Sequence, residues 1–173
     1  MHETSESLNN QAILLTADGS YKEAIACFVR AITIDKNNSL LWFNLGITYR
    51  DCGNLCEAKS ALKNAHKLDT ENEDTIEELA IICIMQKNYD EALFFCEEGL
   101  SLNEDNPKLW NSLGVCYFNK CDYKQACEAF ENAVILNPYY GDAIFNLRDT
   151  YAKLGNKKGY AECNFKLKEL KYK

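Results

Sequence analysis

Cysteine is the residue of this chain with the most chemistry to offer. There are nine among 173 residues, against two histidines, His2 and His66. A structural zinc site needs about four thiolate or imidazole ligands arranged as a tetrahedron. The candidate sets are Cys52, Cys56 and His66, and Cys116 with Cys121, and no Cys-x-x-Cys pair supports either. No metal is therefore expected. Cys52 and Cys121 stand near turns, where a thiol can be reached. Neither has a cluster of cations beside it to lower its pKa, so a thiol-dependent or zinc-dependent role is the weakest of the readings. His66 falls near a helix end and reads as a surface or capping histidine, not a base. The chain has no H-E-x-x-H, no glycine-rich phosphate loop and no serine nucleophile elbow. The expectation is a non-enzyme with no catalytic residues and no cofactor.

The other cysteines, Cys27, Cys83, Cys96, Cys116, Cys127 and Cys163, occupy places where a helix wants an apolar residue. They read as reduced, small hydrophobes. The chain is 47% apolar, enough for a sizeable core. Its formal net charge of −7 argues against nucleic acid and acidic membranes as partners. No apolar run is long enough to cross a bilayer. The start, Met-His-Glu-Thr-Ser-Glu-Ser, lacks the basic and apolar stretches of a signal peptide. These features point to a cytoplasmic protein without membrane insertion.

The elements that position these residues are helices. Apolar residues recur at three and four, as in Ala24, Ile25, Phe28, Ala31 and Ile32, and no strand alternation appears. Ten helices are expected, in pairs: 5–17 and 21–34; 39–51 and 55–68; 73–86 and 89–102; 107–120 and 123–136; 140–154 and 156–171. Thr4 or Ser5 can cap the first, Gly19 makes the first turn, and Pro107 opens a helix where its missing N–H costs nothing. Every turn is short and polar, so neighbouring helices must be antiparallel.

One stretch, Asn106 to Pro138, sets the period. It carries Trp110, Leu113, Gly114 and Tyr117, then Ala126, Phe130, Ala133 and Pro138. In this order and spacing they resemble the signature of the tetratricopeptide repeat, a helix–turn–helix unit of about 34 residues. Trp42, with Leu45, Gly46, Tyr49, Ala58 and Ala65, lies two periods upstream. Leu8, Ile76 and Ile144 take the tryptophan place in the remaining units. The resemblance implies an all-α superhelical solenoid of about five repeats: 5–38, 39–72, 73–106, 107–140 and 141–173. They would form one domain over 5–173, behind a flexible N-terminus at 1–4. In such repeats Gly46, Gly114, Ala58 and Ala126 would let paired helices approach closely, with Ala31, Ala65 and Ala133 doing the same towards the next repeat.

The resemblance also implies a concave groove, lined by the first helix of each pair, that holds a peptide or helix of a partner protein. Carried over by register, Ile13, Ile47, Ile81 and Val115 form an apolar floor, and Phe43, Ile84, Phe118 and Phe145 extend it. Asn9, Asn44, Arg50, Asp74, Glu77, Glu78, Lys108, Asn111 and Asn146 supply polar groups. The acidic set in the third repeat would favour a basic or apolar guest. Some relatives clamp a C-terminal carboxylate with lysines and asparagines. Here Asp74, Glu77, Glu78 and Asp142 fall among those places, so no carboxylate clamp is expected.

Two repeats depart from the pattern. In the third, Ile76, Cys83 and Cys96 replace larger residues, and Phe94, Phe95 and Met85 are the candidates to fill the space. In the fifth, Asn164 takes the Phe place and Gly159-Tyr160 shifts the Ala. Its last helix carries Lys157, Lys158, Lys166, Lys168, Lys171 and Lys173 and reads as a polar cap. The alternative is self-association, with this basic helix lying in the acidic groove of another copy to make a homo-oligomer.

Overall fold

A computed structural model of the chain describes residues 3–171. Among the described residues there are ten α-helices and no strand. They are α1 (Ser5–Ala17), α2 (Tyr21–Ile34), α3 (Ser39–Asp51), α4 (Leu55–Leu68), α5 (Glu73–Met85), α6 (Tyr89–Leu102), α7 (Pro107–Asn119), α8 (Tyr123–Leu136), α9 (Gly141–Leu154) and α10 (Lys157–Lys171). The differences from the expected bounds are single residues with local causes. Gln86 and Lys120 cap the C-terminal ends of α5 and α7, and Tyr140 stands at the N-cap of α9. The Asn156 side chain accepts from the Gly159 N–H at 3.0 Å, ahead of α10. Of residues 1–4, expected to be flexible, Met1 and His2 lie outside the described residues. Thr4 accepts from Ser7 N at 3.1 Å as the cap of α1, and Glu3 pairs with Arg30. Lys173 of the basic set also lies outside the described residues.

The chain divides into two compact units, 1–86 with α1 to α5 and 87–173 with α6 to α10. In the first, each helix packs on the next, and α3 also touches α1 and α5. Leu8, Phe28, Ile32, Leu41, Leu45 and Ala61 form its core cluster, with Trp42 and Tyr49 against it. In the second, consecutive helices again pack in order, and α7 touches α9. Phe130, Val134, Ala143, Ile144, Leu147 and Cys163 lie in its core cluster, with Trp110 and Tyr151 beside it.

Small residues set the helix spacing where the repeat demands it. A Cβ at Gly46 would stand 2.7 Å from Leu62, and one at Gly114 would stand 2.6 Å from the Phe130 ring. Ala58, Ala65, Ala126 and Ala133 are fully buried. The fifth repeat inverts the device. Arg148 takes the small-residue place of α9, and Gly159 of α10 is the glycine, 2.6 Å from the Tyr151 ring if it carried a Cβ.

The five turns inside the repeats share one conformation. Gly19, Gly53, Lys87, Cys121 and Gly155 stand one period apart, and all have φ between 58° and 83°. Lys87 and Cys121 adopt this left-handed backbone without being glycine, at a cost of roughly 1–2 kcal/mol each.

The third repeat corrects one expectation. Of the residues expected to make up its lost volume, Phe95 is buried, whereas Phe94 is 58% and Met85 50% exposed. Phe94 meets Phe95 edge-on at 5.3 Å, on the outside of its helix.

Candidate functional site

The candidate surface is the face of the first helices, taken separately in the two units. In the first unit it is built from α1, α3 and α5. Ile13 is 44% exposed, and Ile47, Ile81, Ile84 and Phe43 are half-buried. Helical spacing puts one aliphatic side chain per repeat on this face, because the period brings the same helix angle round each time. A hollow of about 100 Å³ lies beside it, lined by Leu40, Phe43, Asn72, Asp74 and Thr75.

The polar residues of this face are largely occupied with one another. Asn44 Nδ2 donates to Asn9 Oδ1 at 2.9 Å. Thr48 donates to the Asn44 carbonyl, and its hydroxyl lies 3.0 Å from that of Thr16. Arg50 bridges α3 and α5, donating to Glu78 at 2.5 Å and to its own neighbour Asp51 at 2.9 Å. Burial works against the Arg50 charge. The hydrogen bonds to Glu78 and Asp51 outweigh it, so the guanidinium is held above its ordinary range. Glu77 is only 8% exposed. The acidic set expected to face a guest is thus reduced: Glu78 is neutralised by Arg50, Glu77 is buried, and Asp74 alone of the three is exposed.

In the second unit the surface comes from α7 and α9. Asn146 Nδ2 donates to Asn111 Oδ1 at 3.0 Å, and the buried Thr150 donates to the Asn146 carbonyl at 2.8 Å. This repeats the Asn9–Asn44 and Thr48 arrangement three periods later. Val115 and Phe118 are half-buried and line a hollow of about 90 Å³ with Asn119, Asn146 and Asp149. Phe118 meets Tyr123 edge-on at 5.3 Å. Phe145 is 48% exposed, and the Arg148 guanidinium lies 4.1 Å from its ring centre while pairing with Asp149 at 2.6 Å. Lys108 is exposed.

The cysteines divide by depth. Cys83, Cys96, Cys116 and Cys163 are buried, Cys27, Cys52 and Cys127 are intermediate, and Cys56 and Cys121 are exposed. Cys52 donates to the Tyr49 carbonyl at 3.3 Å. Burial, aided by the Glu131 carboxylate, pushes the Cys127 thiol up to about 12, and burial raises Cys163 as well. Both therefore stay as thiols near neutral pH, the unreactive form. Burial and a 2.6 Å bond to Glu131 raise Tyr151 in the same corner. Among the described residues no three His, Cys, Asp or Glu side chains come together as metal ligands.

The positions Ile13, Ile47, Ile81 and Val115 follow from the period. The amide pairs did not enter the sequence reading, although a signal exists: Asn9 and Asn111 stand 102 residues apart, as do Asn44 and Asn146, three periods in each case.

Helical hairpins at a fixed period, with small residues at the close approach and tryptophan at the first-helix place, define a repeat protein. Tetratricopeptide-repeat models match residues 14–50, 53–116 and 107–140. The chain belongs to the tetratricopeptide repeat family. It is 26% identical over 140 residues to SPINDLY of Hordeum vulgare, a "probable UDP-N-acetylglucosamine--peptide N-acetylglucosaminyltransferase". That match takes in 77% of this chain and only 15% of the barley protein's length. The solved structure of MamA residues 41 to the end from Desulfovibrio magneticus RS-1 superimposes with a TM-score of 0.90 at 20% identity, over 99% of this chain and 97% of that one. YrrB, described as a tetratricopeptide protein with an unusual peptide-binding site, gives 0.77 at 23% identity over 95% and 84%. These likenesses show the fold, an all-α solenoid of tetratricopeptide repeats. Proteins of this family are generally interaction scaffolds. Among the described residues no helix is long and apolar enough to cross a membrane.

Proposed function

We propose that this protein is a non-enzymatic scaffold that holds an extended peptide or an amphipathic helix of a partner protein on the inner face of its first helices. The observation that carries this is a division of labour. Asn9, Asn44, Arg50, Glu78, Asn111 and Asn146 satisfy one another. Apolar side chains on the same helices meet solvent, Ile13 in the first unit and Phe145 in the second. Such a face gains from covering apolar area and asks few hydrogen bonds of its guest. YrrB, which shares the fold, lends support through its peptide-binding site. We expect no carboxylate clamp, because Asp74, Glu77, Glu78 and Asp142 stand among the places that would grip the carboxylate and Arg50 is already paired with Glu78 and Asp51. The proposed setting is the cytoplasm, where buried thiols such as Cys83 and Cys116 stay reduced.

The second reading, self-association through the basic α10, keeps one favourable observation: Lys157, Lys158, Lys166 and Lys168 are all exposed. Its receiving groove is weaker, because Arg50 already neutralises Glu78. Light scattering at low and high salt separates this reading from the first, since a charge-driven dimer weakens as ions screen it.

The test of the main reading is selection of binding peptides from a random library on the purified chain. Peptides with apolar anchors are expected. Ile13→Asp and Phe145→Asp change exposed positions, so each should weaken the selected peptides about tenfold or more without moving the unfolding midpoint. Retained affinity in both variants would remove the inner face as the binding surface.

A further inference from the structure

The first helices of successive repeats touch through recurring places. Within the units these contacts join α1 to α3, α3 to α5 and α7 to α9. At each of them one register of the later helix bonds back to the earlier helix. Asn44 donates to Asn9, Glu78 accepts from Arg50, and Asn146 donates to Asn111. Asn10 stands one period before Asn44, and it is exposed. A second register behaves alike. Thr48, Ile82, Cys116 and Thr150 are at most 1% exposed, each on a helix packed against its predecessor. Leu14 holds that register in α1 and is 71% exposed.

A helix that served only as a cap would be polar at every such place. α1 is polar at Ser7 and Gln11, one period before the buried Leu41 and Leu45. At Asn10 and Leu14 it keeps an amide and an aliphatic side chain, the residue types of an inner junction. A leucine left in water gains by being covered. The matching strip lies on α9, the first helix of the fifth repeat. Asn9 and Thr16 are the α1 residues that meet α3, and their counterparts on α9 are Phe145 and Ala152, both exposed. Charge favours the same match. Residues 5–18 hold Glu6 and Asp18 and no base, while α10 holds five lysines against two glutamates.

We propose that copies of this chain stack head to tail, the α9–α10 hairpin of one copy lying on α1 of the next as one repeat lies on another within the chain. Leu14 then meets Ala152, as Thr48 meets Thr16 at 3.0 Å inside the chain. The larger side chain of one copy faces the smaller one of the other. Asn10 lies beside Phe145, and the polar Ser7 and Gln11 take the lysine-bearing α10. Head and tail are different surfaces, so the contact is heterologous and builds rings or open strings, not two-fold dimers. It differs from α10 lying in an inner groove, which would leave Leu14 uncovered, and it does not rest on peptide capture by the inner face.

The test is sedimentation velocity of the full chain over a range of concentrations. The mean mass is expected to climb from 19.7 kDa past that of a dimer. Leu14→Asp blocks the head and Ala152→Asp blocks the tail. Both positions are exposed, so the melting midpoints should stay unchanged. Each variant alone should associate about tenfold more weakly or worse. Mixed one to one, the two should form a heterodimer of wild-type strength, because one copy keeps its tail and the other its head. A wild-type chain that stays monomeric at about 1 mM would overturn the proposal. So would association that survives Leu14→Asp, or a mixture that fails to restore it. Should Leu14→Asp unfold the chain, Asn10→Arg, at another exposed position, takes its place with the same expected outcomes.

Discussion

The fourth and fifth repeats solve the same packing problem with the parts exchanged. In the fourth, the first helix supplies the notch, Gly114, and the second supplies the ring, Phe130. In the fifth, the first helix supplies the ring, Tyr151, and the second supplies the notch, Gly159. The exchange follows from Arg148, which occupies the place of Gly114 and lies over Phe145 instead of letting α10 approach there. The close approach in the fifth repeat thus falls at different places of the pattern: Tyr151 stands one period after Tyr117 and Gly159 one period after Gln125, while Arg148 and Asn164 take the places of Gly114 and Phe130. The exchange has a cost in polar chemistry. Phe130 needs no partner, whereas the Tyr151 hydroxyl requires Glu131, which also accepts from Cys127 at 3.4 Å.

The comparison can be broken most forcefully at its largest ring. Phe130→Ala should cost about 3–5 kcal/mol in urea unfolding. A cost below 1 kcal/mol would mean that the fourth repeat does not depend on its ring. The notches come next. Gly114→Ala and Gly159→Ala each put a methyl group 2.6 Å from ring carbons, and each should cost about 1–3 kcal/mol. Pairing Gly114→Ala with Phe130→Leu should recover part of the loss, because the smaller side chain makes room. The turns differ by less. Gly155→Ala should cost about 1 kcal/mol, while Cys121→Gly should gain roughly 0.5–1 kcal/mol, since both residues hold a left-handed backbone and only one is built for it. The smallest effect is a slope in alkaline solution. The Cys127 thiol is raised from 9.0 to about 12, by burial first and then by Glu131. The unfolded chain ionises this thiol before the folded one does, so its contribution is complete below about pH 9 and is lost as pH rises towards 12. The wild-type melting midpoint should fall across that window, and Cys127→Ala should fall less steeply.

Much of the fold was legible because its determinants are periodic. Trp42, Trp110 and the buried alanines fix helix pairs by spacing alone, and the ten helix spans follow to within a residue. The left-handed turns were only half legible. Gly19, Gly53 and Gly155 announce them, but Lys87 and Cys121 sit in the same register without the residue type that marks it. The candidate surface was legible where it is apolar, at Ile13, Ile47 and Ile81 in the first unit and, separately, at Val115 in the second, because a residue recurring at the repeat period returns to the same angle on its own helix. Its electrostatics were not. Glu78 looks like an exposed acid until Arg50 is seen to reach it from the neighbouring helix, and that depends on side-chain length and helix spacing that no single position encodes.

The amide pairs Asn9–Asn44 and Asn111–Asn146 carry no net charge and engage each other at 2.9 and 3.0 Å. Dissolved ions have little to screen there, and ordinary changes of acidity have nothing to titrate. These pairs themselves should therefore hold equally well in dilute buffer and at high ionic strength.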